Sequence, residues 1–145
     1  MAANRATRSR ATDTGHARDY AAVALAYAKR AAADRDQVRH CKWVRLAAQR
    51  HLDDLKRARE KSWGYFFDPW HANDVCDFAE KLPHVEGVWD TPTITLEPFQ
   101  IFILAMVFGW RPHETGGRRF TSVYEEEVRK NAKSTKTAIV SLLAR

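Results

Sequence analysis

The first half of the chain carries apolar residues at helical spacing. Residues 18–33 are rich in alanine, the best helix former, with Tyr20 and Tyr27 as the largest apolar groups. Residues 37–61 contain neither glycine nor proline, and their apolar positions recur every three or four residues. The pattern therefore predicts two helices, the second long and amphipathic with a basic outer face. Its apolar stripe consists of Val38, Cys41, Val44, Ala48, Leu52 and Leu55.

Two more helices are predicted where proline follows an acidic residue. After an aromatic connector at residues 63–67, the pair Asp68-Pro69 supplies a helix N-cap with proline at the first helical position, and Pro83 closes that helix. A second start, before Pro98, leads into the nearly all-apolar residues 101–109. Because a helix that is apolar all round must be buried, this helix is expected at the centre of the fold.

The C-terminal part alternates between types of element. Residues 111–117 form a loop rich in proline, glycine and charge, and residues 120–124 are β-branched or aromatic, which predicts a strand. A lysine-rich loop follows, and residues 136–143 have the apolar spacing of a helix. The order of buried helix, strand, loop and helix is the one that a phosphate-binding loop requires.

Charge is unevenly spread over the 145 residues, whose net charge is +6. Residues 1–61 and 111–145 are basic, whereas residues 62–110 are acidic. Basic ends are typical of a polyanion partner such as nucleic acid or nucleotide, although a solvated surface explains the same balance. Residues 1–17 read as a basic disordered tail. No apolar run approaches the roughly 18 residues that span a bilayer, so no membrane association is expected.

The cysteines and histidines predict no metal or disulfide framework. Cys41 and Cys76 stand far apart and outside any C-x-x-C pair, and the histidines lack ligand spacing. This usage fits a reducing cytosol.

One segment carries candidate chemistry. In the pattern G-x-x-x-x-G-K-[ST], backbone N–H groups cradle phosphates, the lysine reaches the β and γ oxygens, and the hydroxyl holds Mg²⁺. Lys133 and Ser134 fill the last two places, whereas Glu127 and Ala132 replace the two glycines. A two-residue match is weak evidence by itself, because lysine-serine pairs are common at exposed helix starts.

Six ordered sequence blocks strengthen the evidence for a phosphate-binding loop at Lys133 and Ser134. Together they resemble the start of the ATPase domain in large terminase subunits of tailed bacteriophages and prophages. The blocks are CKWVRLA at 41–47, QRHLDDL at 49–55, LEPFQ at 96–100, FGW at 108–110, RRF at 118–120 and RKNAKST at 129–135.

The resemblance implies an ATP-driven, Mg²⁺-dependent motor that threads DNA into a capsid in the cytoplasm of the bacterial host. Its partners would be double-stranded DNA, the small terminase subunit and the portal, on which the full-length family forms ring oligomers. The implied fold is a mainly α N-terminal region (residues 18–92) leading into the first strand, P-loop and helix of an α/β P-loop NTPase domain (residues 93–145).

The same resemblance assigns roles to individual residues. Gln100, next to Phe99, would recognise adenine with its paired donor and acceptor. Lys133 would bind the β and γ phosphates, Ser134 would hold Mg²⁺, and Arg129 would act on the γ phosphate. The remaining expected contacts to the nucleotide come from Lys130, Asn131, Ala132 and Thr135.

Three departures from the family pattern stand out. Ala132 replaces a glycine, and the alanine Cβ resists a positive φ or a close approach of the phosphate. Residues 125–127 are three glutamates where a buried strand is expected, so that strand ends at Tyr124, or the carboxylates pair with Arg118, Arg119 and Lys136, or the copy is degraded. The chain also stops at Arg145, before any second acidic strand or nuclease cluster. We therefore expect a truncated, N-terminal piece without ATPase or nuclease activity alone.

An alternative reading needs no nucleotide. The basic face of residues 37–61 would then make the chain a stand-alone helical DNA-binding module, or an adaptor for a terminase or portal subunit. The candidate DNA contacts are Arg39, Lys42, Arg45 and Arg50.

Overall fold

The computed structural model describes residues 16, 18–60, 62–84, 87, 88, 90–127 and 133–143. Within them lie five helices and a two-stranded sheet. In chain order these are α1 (Tyr20–Ala33), α2 (Lys42–Arg57), β1 (Tyr65–Phe67), α3 (Pro69–Glu80), α4 (Pro98–Gly109), β2 (Trp110–Pro112) and α5 (Lys133–Leu143). The architecture is a small helix-rich domain compatible with part of an α/β domain.

Helix α4 lies at the centre of the fold, as its apolar sequence predicts. Nearly every one of its side chains is buried, and Ile101, Leu104 and Ala105 are at most 1% exposed. Helices α1 and α3 pack against α4, and α2 packs against α1. Three alanines of α1, Ala24, Ala28 and Ala31, are fully buried, and their small side chains allow close approach between helices.

The helix starts predicted from capping residues are confirmed. The carboxylate of Asp68 accepts a hydrogen bond from the backbone N–H of Trp70 at 2.9 Å, with Pro69 at the first helical position. Helix α1 begins in the same way, since Asp19 accepts from the N–H of Ala22 at 3.0 Å. Both caps satisfy backbone donors that a helix N-terminus otherwise leaves unpaired.

The long second helix was predicted to begin too early. Residues 34–40 form a turn in which the Asp34 carboxylate accepts hydrogen bonds from the backbone N–H groups of Val38, Arg39 and His40, and α2 starts only at Lys42. An aspartate that competes for backbone donors in this way favours a turn over a helix. The same helix also ends earlier than predicted, at Arg57 and not at residue 61, and α5 begins at Lys133 and not at Lys136.

The sheet was missed by the sequence analysis. β1 and β2 pair antiparallel, with Phe67 opposite Trp110, where a connector and a loop were predicted. Gly109 permits this junction, because a Cβ there would lie 2.5 Å from the Phe67 ring. Three-residue strands that pair across about 45 residues of chain leave little local signal.

The strand predicted at residues 120–124 is wrong for the described part of the chain. Residues 120–127 join no ladder there. β-branched and aromatic residues favour a pleated surface only where a neighbouring strand supplies the pairing. The described residues therefore confirm the helix-rich architecture, whereas the P-loop NTPase fold stays a prediction.

Candidate nucleotide site

The N-terminus of α5 carries the residues of the predicted phosphate loop that the structure describes. Ser134 is exposed and Thr135 half-buried in the first turn, whereas the side chain of Lys133 lies outside the described part. The predicted contacts Arg129, Lys130, Asn131 and Ala132 also lie outside the described residues. Ser134 therefore presents its hydroxyl to solvent at a helix N-terminus, where the helix dipole favours anions.

A buried lysine holds α5 to the segment that precedes the loop. The ammonium of Lys136, whose residue is 4% exposed, lies 2.5 Å from a carboxylate oxygen of Glu125 and also forms an ion pair with Glu127. Lys136 was one of three cations named as candidate partners for these glutamates. Of the other two, Arg119 binds Asp54, and the Arg118 guanidinium lies over the Phe108 ring.

Burial shifts the pKa of Glu125, one of these two carboxylates. Desolvation raises the pKa of Glu125, and its hydrogen bond with Glu127 adds to the increase, while Lys136 opposes both. The two ion pairs place both carboxylates against one ammonium, and the raised pKa of Glu125 follows from its burial and from the second carboxylate. The ion pair is therefore more than a solvated surface contact.

The predicted adenine segment lies at the start of α4. Glu97 and Gln100 form a capping box in which the Gln100 side-chain oxygen accepts a hydrogen bond from the Glu97 N–H at 2.9 Å. Phe99 contacts the same lysine as the glutamates, since the Lys136 ammonium lies 5.1 Å from its ring centroid. The structure thus brings the α4 N-terminus close to α5, although the two elements are far apart in sequence.

A groove of about 340 Å³ runs between α4, residues 118–125 and α5. Its floor is apolar, with Ile103 and Val107 from α4 and Val140 from α5. Lys136 and Arg118 contribute polar groups to the wall. The groove adjoins the ion cluster and is open to solvent at the side of Thr121.

A second buried polar cluster anchors the segment after β2. Arg119 binds Asp54 at 2.6 Å, and Asp54 is only 2% exposed. Four aromatic rings surround the guanidinium with centroids 4.8–5.5 Å away. Cation–π contacts of this kind stabilise a partly desolvated arginine. These rings belong to Trp63, Tyr65, Trp110 and Phe120.

His51 belongs to the same region of α2. Trp110 donates its indole N–H to His51 Nδ1 at 3.2 Å, and the imidazole packs edge-on against Phe67 and Phe102. Burial lowers the pKa of His51 to about 4, so the ring is neutral at physiological pH. Sequence reasoning missed the roles of His51 and Asp54; their signal was two polar residues on the apolar side of a helix.

The comparison with family models gives one match. Residues 98–145, which begin at the first residue of α4, match the model described as terminase large subunit, ATPase domain. Residues 98–145 are thus similar to the ATPase domain of terminase large subunits. Neither a curated protein nor a solved structure matches the chain.

The terminase match confirms the resemblance drawn from the sequence. It contains four of the six blocks in whole or in part, and leaves 41–47 and 49–55 outside. The matched family is an ATPase domain, and such domains bind nucleotide. Terminase large subunits generally act on DNA together with other packaging components.

The candidate DNA contacts of the alternative reading do not form one uniform basic face. Arg39 and Lys42 are exposed, whereas Arg45 is half-buried, and the Arg50 guanidinium lies 4.8 Å from the Phe120 ring centroid. Apolar side chains interrupt the same surface, with Trp43 73% exposed. This surface carries both basic and apolar side chains, where the sequence predicted a basic outer face.

The described residues hold no group of three or more histidine, cysteine or acidic side chains arranged to bind a metal ion. Nor does any helix among them have the length and apolar character needed to cross a membrane. Cys41 is exposed and Cys76 buried, and both are free thiols.

Proposed function

We propose that the chain provides the ATP-binding part of a phage DNA-packaging motor. The observation that carries this proposal is the terminase ATPase match over residues 98–145, within which α5 begins at the Lys133-Ser134 pair. In this proposal residues 93–145 start the P-loop domain, and residues 18–92 form a helical region before it. The motor would work in the cytoplasm of the bacterial host.

The donor set fits a magnesium nucleotide. Ser134 offers an exposed hydroxyl on a helix N-terminus, a suitable neighbour for phosphate oxygens and a hard cation. Glu125 and Glu127 are paired with Lys136, which reduces the repulsion they would exert on a nearby phosphate. Bound Mg²⁺ would neutralise charge on the β and γ phosphates.

The proposed roles follow the family motif position by position. Lys133 binds the β and γ phosphates, Ser134 holds Mg²⁺, and Thr135 supports the loop. Arg129 acts on the γ phosphate, a role suited to its delocalised charge. The loop backbone of Lys130, Asn131 and Ala132 completes the cradle for the phosphates.

Binding of a fluorescent ATP analogue tests the phosphate site. Lys133→Ala should abolish saturable binding, because the main cation for the β and γ phosphates is gone. Lys29→Ala is the matched control, since it removes an exposed lysine on α1. Equal binding by wild type and Lys133→Ala would contradict the proposed site, as would wild type that does not bind the analogue at all.

The capping box allows a clean test of adenine recognition. Gln100→Glu keeps the side-chain oxygen that accepts from the Glu97 N–H, but it removes the amide donor. The amide oxygen has a second lone pair, so capping and base recognition are compatible. We expect Gln100→Glu to lose preference for ATP over GTP without a change in melting temperature. Unchanged preference would exclude Gln100 as the adenine contact.

The proposed partners are double-stranded DNA, the small terminase subunit and the portal, with ring oligomers in the assembled motor. Replacing exposed Arg39 and Lys42 with alanine should weaken salt-dependent DNA binding if α2 contacts the phosphate backbone. DNA binding that survives Lys133→Ala but fails in this double variant would favour the alternative DNA-binding module. Exposed Trp43 favours the adaptor form of that alternative.

Catalysis is a separate part of the proposal. As the sequence analysis expects, the 145-residue chain alone should release no phosphate from ATP above background. A phosphate-release assay with Lys133→Ala as the blank checks this. Turnover that depends on Lys133 would overturn the expectation while strengthening the ATP site.

A further inference from the structure

We infer that Lys136, paired with Glu125 and Glu127, is a positioning residue for the nucleotide site. It fixes the N-terminal half of α5 against the segment before the loop and against the first turn of α4. The inference rests on the proposed function, because it assigns a purpose to an ion cluster beside that site. It adds residues that the phosphate-loop motif does not contain.

The three charged side chains of this cluster are largely buried. The side chains of Lys136 and Glu127 are 5% and 9% exposed, and that of Glu125 is 25% exposed. An ammonium buried to this degree is strongly unfavourable unless carboxylates meet it in good geometry. Any shift of α5 relative to residues 125–127 would leave unpaired charge in the protein interior. The cluster therefore specifies one position of the helix.

Apolar packing alone specifies this position less well. Among the described residues of α5, Ile139 is the only apolar side chain that is fully buried, at 1% exposure. Val140 and Leu143 pack against the core but are only partly buried. Apolar contact is non-directional, so these contacts alone tolerate sliding or rotation of a short helix. Ion pairs with two carboxylates from one neighbouring segment restrict both movements.

The position that is fixed matters for the proposed site. Lys136 follows Ser134 by two residues, so the two Cα atoms are about 3 Å apart along the helix axis. Holding Lys136 thus holds the hydroxyl proposed to bind Mg²⁺. The same ammonium lies 5.1 Å from the Phe99 ring centroid, next to Gln100. A lysine of the helix on the phosphate side therefore contacts the proposed base-recognition segment.

The glutamate run contains its own control. Glu126 is exposed and accepts a hydrogen bond from the Tyr124 hydroxyl at 3.3 Å, whereas its two neighbours face Lys136. Glu126→Gln removes the same charge at nearly the same place without touching the cluster. A simple effect of negative charge on nucleotide affinity would appear equally in Glu126→Gln and Glu127→Gln.

The test measures ATP-analogue affinity and the thermal midpoint of the 145-residue chain together. Lys136→Met keeps the length of the side chain but removes its charge, and we expect affinity to fall on the order of tenfold or more. Glu126→Gln should bind as wild type does. Lys136→Arg should restore much of the loss, because it keeps a cation for both carboxylates. Tryptophan fluorescence, which reports mainly on the helical body, should show a nearly unchanged midpoint.

The outcomes separate this inference from the proposed function. Wild type that fails to bind the analogue would overturn the proposed function. Wild type that binds, with Lys136→Met binding equally well, would overturn the positioning role alone. If Lys136→Met does not fold, the comparison of Glu127→Gln with its control Glu126→Gln decides: a loss of affinity in Glu127→Gln alone supports the role, and equal affinities overturn it. If Lys136→Met folds, its double variant with Glu127→Gln completes a double-mutant cycle. Affinity losses that simply add would contradict the role, and a double variant no worse than the single ones would support it.

Discussion

The helical body formed by α1–α4 and the small sheet differs from the C-terminal segment, residues 118–143, in what holds it together. In the body, α4 is buried on nearly all sides and α1 contributes fully buried alanines. In the C-terminal segment, α5 places one apolar side chain, Ile139, and one charged one, Lys136, fully in the interior. The body thus depends on apolar area, whereas the proposed nucleotide site depends on directional ion pairs.

The two regions meet at Arg119. This residue belongs to the C-terminal segment, yet its guanidinium binds buried Asp54 of α2 and stacks among aromatic rings of the body. Its backbone N–H also donates to the carbonyl of Trp110 at 2.9 Å. A segment with few apolar contacts is therefore anchored at one end by the body and at the other by Lys136.

The largest expected effect concerns that anchor. Asp54→Ala leaves the Arg119 guanidinium without its carboxylate and should lower the free energy of unfolding by about 3–5 kcal/mol. Asp53→Ala, at the neighbouring position whose partners Gln49 and Lys56 are exposed, should cost much less. Urea denaturation of both variants measures the difference. Equal losses in the free energy of unfolding would mean that the Asp54–Arg119 pair stabilises the fold no more than a surface contact does.

A pH effect of nearly that size should come from the body. Burial lowers the pKa of His51 from 6.5 to about 4, so the unfolded chain binds this proton at higher pH than the folded one. Stability should therefore fall by about 3 kcal/mol as pH decreases from about 6.5 to 4. In His51→Gln this part of the pH dependence should vanish. A wild-type curve parallel to that of His51→Gln would refute the assignment.

Ile139→Ala should have a smaller and more local effect. Removing the buried apolar side chain of α5 should weaken its docking by about 2 kcal/mol, because the helix has little else to bury. Hydrogen exchange should accelerate in α5 while amides of α4 keep their protection. Loss of protection in both helices would show that the two regions unfold as one cooperative unit and would remove the contrast drawn between them.

The smallest effect is expected at the exposed apolar surface of α2. Trp43 is 73% exposed, so Trp43→Ala should change the free energy of unfolding by no more than about 0.5 kcal/mol. A thermal melt of the isolated chain checks this. A larger loss would mean that Trp43 packs within the body and would remove it from the surface open to a partner.

The sequence predicted those elements whose signals are local. Helix α4 follows from its apolar residues, and α3 from the Asp68-Pro69 cap, because both patterns act within a few residues. The resemblance to terminase large subunits could also be found from the sequence, because its ordered motifs can be recognised without knowledge of the fold. In the candidate site, the sequence named Lys136 among possible partners of the glutamates but had no means to choose it over Arg118 and Arg119.

Only the tertiary structure decided which distant groups meet. It paired Phe67 with Trp110, gave Arg119 to Asp54, and turned Lys136 toward Glu125 and Glu127. It also left residues 120–124 without a strand partner in the described part of the chain. The physical reason is that propensity, capping and apolar periodicity act between near neighbours in sequence. Strand pairing and buried charge pairing depend instead on geometry that exists once the helices have packed.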